Sequence, residues 1–160
     1  VGGLVHDDGL LHELQKQGAY LLNKAQTEQL VNIVLQPKKG GGHEVNKKWV
    51  GKDAARILET IGVHVPDSCR LAICEVPADH PFVLVEQMMP VLPIVRCQSF
   101  EQAVEWAVVA EHGNRHTASI FSKDVDHMTR FARAIETTIY ASRTVPPRPV
   151  SASAARGTAP

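Results

Sequence analysis

Apolar positions along the first 140 residues alternate between a helical and a strand-like rhythm. Leu11 and Leu14 share a helical face that Asp8 or a neighbour opens and Gly18 ends. Ala19–Leu22 is a short apolar piece that reads as a strand. Asn23 and Gln26 then have the spacing of a capping box, ahead of helical Leu30, Ile33 and Val34. Helical spacing returns at Ala54, Ile57, Leu58 and Ile61, with Asp53 placed to cap the segment and Gly62 to close it. Between these helices, Gln36–Lys48 ("QPKKGGGHEVNKK") reads as a loop by its Gly, Pro and Lys content.

The second half continues the alternation. Arg70–Val76 and Val91–Cys97 read as buried strands, and Pro93, which lacks an N–H, demands an edge or bulge position. Ser99 and Gln102 form another capping box, before a helix that buries Phe100, Ala103, Val104 and Ala107. His116–Phe121 is a strand, Asp124 caps a helix with Met128, Phe131, Ala132 and Ile135 inward, and Thr137–Tyr140 begins a last strand. Strands separated by helices of this length predict an α/β fold of three layers: a mostly parallel sheet flanked by helices. The pattern stops at Ala141. "ASRTVPPRPVSASAARGTAP" has no apolar period, which predicts a disordered tail over 141–160.

Composition adds exclusions. A chain of 160 residues, 44% hydrophobic and 21% charged, suits a globular domain with a substantial core. Basic and acidic residues balance at 17 each, so no global field favours nucleic acid or acidic membranes. No apolar run reaches membrane-spanning length, and three cysteines without paired spacing predict a reducing, cytoplasmic setting. Cys69 and Cys74, on or beside one strand, should face opposite ways, and Cys97 ends another strand. Buried, inert thiols are expected rather than a zinc site, which wants convergent pairs.

His112 and His116 in "HGNRH" have ligand-like spacing, but Gly113 breaks the helix that would align them; a hydrogen-bonding surface loop is the simpler reading. The glycines and lysines of "GGGHEVNKKWVGK" could touch phosphate, yet they match neither a Walker loop nor a dinucleotide fingerprint, and a flexible solvated loop explains them equally. More pointed is "HPFVLVEQMMPVLPIVR". Glu86 lies among Val83, Leu84, Val85, Met88 and Met89, and desolvating a lone carboxylate is expensive. It therefore sits either on the wet side of a short helix or in a cleft that accepts hydrogen bonds from a ligand's hydroxyls.

In order, "WVGKDAARILETIGVHVP", "RLAICEV", "HPFVLVEQMMPVLPIVR", "AVEWAVVAEHGNRHTASIFSKD" and "MTRFARAIETTIY" resemble the aldehyde dehydrogenase superfamily. The similarity is greatest to its CoA-acylating branch, which serves propanediol and ethanolamine breakdown in bacterial microcompartments. It covers about residues 5–140. The resemblance implies an NAD-dependent oxidoreductase that converts acetaldehyde or propionaldehyde and CoA to acyl-CoA. A cysteine thiolate attacks the aldehyde, hydride passes to NAD, and the thioester is transferred to CoA. Glu86, Met88 and Pro90 match the family positions at the nicotinamide ribose, with Glu86 accepting from the ribose hydroxyls. The wider superfamily has Phe and Gly where Met88 and Met89 stand.

The same resemblance implies what residues 1–140 lack. In the family, the dinucleotide-binding domain and the catalytic cysteine precede the segment that begins here at Val1, and Cys69, Cys74 and Cys97 do not align with that nucleophile. Residues 1–140 are expected to be a partial catalytic domain, with no tightly bound cofactor and no turnover alone. The alternative is a noncatalytic interaction module that pairs with intact dehydrogenase subunits, or with itself, through exposed sheet edges. The tail has its own expectation. Family members continue after T-T-I-Y with V-K-N-G-P-S-x-A-G-L-G-V-G-G-E-G. Joining each codon's third base to the next codon's first two lets Ala141–Gly157 encode all of these except the variable x. A one-base frameshift near Tyr140 is therefore expected as the tail's origin.

Overall fold

The computed structural model describes Gly3–Val5 and residues 9–143, so the helix start at Asp8 and the tail from residue 144 lie outside the described residues. In chain order the first unit, Val1–Asn114, contains β1 (Gly3–Val5), α1 (Gly9–Lys16), β2 (Tyr20–Leu21), α2 (Lys24–Val34), β3 (Leu35–Pro37) and β4 (His43–Val45). A 3-10 turn over Lys47–Trp49 leads to α3 (Ala54–Glu59), β5 (Ala72–Glu75), α4 (Pro81–Leu84), β6 (Val91–Arg96) and α5 (Phe100–Glu111). Four parallel strands form its main sheet in the order β1-β6-β5-β2.

Side chains alternate across this sheet as period two requires. Ala72, Cys74, Val76, Val91 and Val95 face one way, against Leu30, Val31 and Val34 of α2, Ala54, Ile57 and Leu58 of α3, and Phe82 and Val83 of α4. Ile73 and Ile94 face the other way, against Leu11 and Leu14 of α1. The result is the predicted helix–sheet–helix sandwich. The Asn23–Gln26 capping box forms in full at the start of α2, with both bonds 2.9 Å long.

Several local expectations change. "QPKKGGGHEVNKK" is not all loop: Leu35–Pro37 and His43–Val45 pair antiparallel, as a hairpin too short and exposed to show apolar alternation. Pro93 is neither at an edge nor in a bulge but fully buried in β6, between β5 and β1. The carbonyls of Pro90 and Ile94 accept from the N–H groups of Ala72 in β5 and of Val76 just after it, so the nitrogen of Pro93 turns away from β5, and the register with β1 starts one residue later, at Gly3↔Ile94. Cys69 and Cys74 do not face opposite ways. The strand starts only at Ala72, so Cys69 lies outside its alternation, and both thiols join the same core cluster. Asp53 occupies the cap position of α3 but makes no side-chain cap bond. Phe100, Ala103, Val104 and Ala107 of α5 are half-buried rather than buried; Trp106 and Ala110 are the α5 residues packed on the main cluster.

Among its described residues the second unit, Arg115–Pro160, holds one parallel pair, β7 (Thr117–Phe121) and β8 (Ile139–Arg143), connected by α6 (Val125–Ile135). Asp124 caps α6 by accepting from the N–H groups of Asp126 and His127 at 2.8 and 3.0 Å. Phe131 and Ile135 are buried, and the Tyr140 hydroxyl donates to the Met128 carbonyl at 2.6 Å. β8 carries Ala141, Ser142 and Arg143 in register with Ser119, Ile120 and Phe121, since backbone pairing needs no apolar period. No helix among the described residues is long and apolar enough to cross a membrane.

Candidate functional site

The segment Val85–Pro90 is shaped by what precedes it. Pro81 starts α4 where a missing N–H costs nothing, and the His80 Nδ1 caps the helix by accepting from the Phe82 N–H at 3.2 Å. An accepting Nδ1 requires a neutral ring, and burial pushes the His80 pKa below its ordinary value, against the raising influence of Glu28 and Asp79. The helix ends after one turn: the Val85 N–H donates to the Pro81 carbonyl at 2.9 Å, and the backbone then extends. Met88 takes a left-handed φ of 48°, and its carbonyl accepts from the Gly51 N–H at 3.1 Å. Non-glycine residues rarely adopt this conformation, so the surrounding bonds must hold it.

Between these fixed points the side chains alternate. Glu86 and Met88 are exposed, the latter at 62%, while Gln87 between them is 4% exposed. Gln87 Nε2 donates to the Phe82 carbonyl at 2.5 Å, and its Oε1 has no donor among the described residues. An unmet buried acceptor costs about 1–3 kcal/mol. Glu86 lies beyond the end of α4, not on its wet side, and no described residue pairs with its carboxylate.

Met88, Met89 and Pro90 border a cleft of about 360 Å³, with Lys52, Asp53 and Arg70 among its other walls. That volume falls within the range of ligand pockets, about 300–1,000 Å³. Of the three residues the sequence singled out, Met88 and Pro90 line the cleft; Glu86 stands two residues before Met88 and does not. Gln87 and His80 were not anticipated. Alternation held the signal for Gln87: once Glu86 points out of an extended segment, the next residue points in.

The thiols are placed as structural groups. Cys74 is fully buried and its pKa is pushed up to about 12 by desolvation; burial also raises that of Cys97. Cys69 is 5% exposed at the cleft, and its Sγ donates weakly to the Leu71 carbonyl at 3.6 Å. His112 ends α5 in the left-handed conformation and His116 contacts the Thr117 hydroxyl at 2.9 Å; the two belong to different units. No group of three or more His, Cys, Asp or Glu side chains that could hold a metal gathers among the described residues.

Residues 71–154 match the model of the aldehyde dehydrogenase family. The chain belongs to that family. It is 44% identical over 135 residues to the acetaldehyde dehydrogenase (acetylating) of Salmonella typhimurium, an alignment covering 83% of this chain and 29% of the relative. Two solved structures superpose with a TM-score of 0.80 at 40% identity, each over 87% of this chain and 32% of the other. One is the propionaldehyde dehydrogenase of Rhodopseudomonas palustris with bound CoA and an acylated cysteine; the other is an engineered glycolyl-CoA reductase with bound NADP+. The chain thus spans about three tenths of the length of these relatives.

Proposed function

We propose that this chain supplies the nicotinamide-ribose site of an NAD-dependent, CoA-acylating aldehyde dehydrogenase acting on acetaldehyde or propionaldehyde. The observation that carries the reading is Glu86, an exposed carboxylate without a described partner, two residues from a cleft bordered by Met88 and Pro90. A carboxylate only accepts, so it selects a ligand that donates, and a ribose diol offers two O–H groups. Met88 presents a polarizable thioether that adapts to a planar ring, and Pro90 stiffens the exit into β6. Lys52 and Arg70 line the cleft together with Asp53 and Asp67, so its walls offer both donors and acceptors. These residues fit the cofactor, which supplies the hydride acceptor when bound; the chain's own part is to hold and orient it.

The reading assigns the nucleophile to a part of the enzyme outside these 160 residues: burial raises the Cys74 and Cys97 pKa values, and Cys69 is buried with its Sγ turned to the Leu71 carbonyl. NADH formation from propionaldehyde and CoA should therefore be undetectable with the chain alone, and turnover by the chain alone would overturn the reading. A second reading, a noncatalytic module pairing with intact subunits, draws on the exposed Phe121 and Ile139 of the two-stranded sheet. It predicts a stable complex on sizing chromatography that leaves the turnover of the intact enzyme unchanged.

A further inference from the structure

We infer that Gln87 is the positioning residue of this site, an amide lock that holds Glu86 and Met88 facing outward. Its Nε2 reaches back five residues to the Phe82 carbonyl at 2.5 Å, and Phe82 is itself fixed by the His80 imidazole on its N–H. The exposed segment is therefore tied at three points: Val85 N–H to the Pro81 carbonyl, Gln87 to the Phe82 carbonyl, and the Met88 carbonyl to the Gly51 N–H. Only the middle tie comes from a side chain, and it lies between the two outward residues. An apolar side chain could fill the same space, but it would leave the Phe82 carbonyl unmet and free the segment to rotate. Loss of the left-handed turn at Met88 would re-aim the Glu86 carboxylate.

The inference rests on the ribose reading for its functional consequence, but its structural half is tested separately. In the 160-residue chain, Gln87→Met keeps the volume and removes the donor; amide exchange at Val85 and Gly51 should speed up about tenfold while β5 and β6 stay unchanged. Gln87→Glu sets an ionised carboxylate against the Phe82 carbonyl, so exchange should be fast at pH 8. It should slow again at pH 5, after correction for intrinsic rates, because burial at this 4% exposed position raises the carboxyl pKa and the protonated acid regains a donor. In an intact acylating dehydrogenase carrying this segment, Gln87→Met should raise the KM for NAD about tenfold with kcat and the KM for CoA unmoved. Unchanged exchange, acceleration spread evenly over β5 and β6, or no pH recovery in Gln87→Glu would each overturn the lock. If exchange responds as expected but Glu86→Gln leaves NAD use untouched, the ribose reading fails and the lock stands.

Discussion

The two parallel sheets are finished to different degrees. In the first unit β5 and β6 have neighbours on both sides, both faces are covered, and Ile73, Cys74 and Ile94 are at 0% exposure. In the second, β7 and β8 have only each other among the described residues, and Phe121, Val125 and Ile139 are 65%, 67% and 56% exposed. Both sheets have the same local grammar of strand, capped helix and strand. What separates them is layer count. An isolated strand pair is marginal in water, whereas a four-stranded sheet between helices satisfies its own backbone and buries its own apolar faces.

The sharpest way to break this comparison is by truncation. Leu30→Ala, at 0% exposure under the large sheet, should cost about 2–5 kcal/mol, whereas Phe121→Ala should stay within about 0.5 kcal/mol. Urea midpoints of the two variants decide it, and equal losses would show that Phe121 is covered after all. Alkaline pH probes the same core. The Cys74 thiol titrates near 9.0 when unfolded and at about 12 when folded, so the unfolded chain loses its proton first. The Cys74 contribution to stability should be level below pH 9 and fall above it by about 1.4 kcal/mol per pH unit until about pH 12, and Cys74→Ala should remove that contribution. Burial also raises the Cys97 and Tyr140 pKa values, so a residual slope should remain.

Amide exchange extends the contrast to the backbone: β7 and β8 should exchange well before β5 and β6. Equal protection would contradict the difference in layers. The smallest effect belongs to a cap. Asn23→Ala removes the acceptor of the α2 capping box and should cost about 1 kcal/mol by urea denaturation.

Much of the fold was legible because apolar spacing and caps are local. Asn23–Gln26, Asp124 and the inward stripe Phe131–Ile135 follow from residues within a few positions of each other. The hairpin over Leu35–Val45 was not legible, since its strands are held by backbone pairing and Leu35 is their one buried residue. Pro93 misled because its tolerance depends on where β1 begins, ninety residues away. At the site, Glu86, Met88 and Pro90 stood out through family likeness. Gln87 did not, because a polar residue beside a glutamate looks solvated until the extended backbone sets its direction inward.

The central claim is that Glu86 accepts the ribose hydroxyls of NAD. Steady-state kinetics of an intact acylating dehydrogenase carrying this segment, with and without Glu86→Gln, test it most directly. An amide accepts hydroxyl hydrogen bonds more weakly than a carboxylate, so kcat/KM for NAD should fall about tenfold or more while the urea midpoint stays unchanged. Unaltered NAD kinetics, or a loss explained by a lower midpoint, would contradict the account.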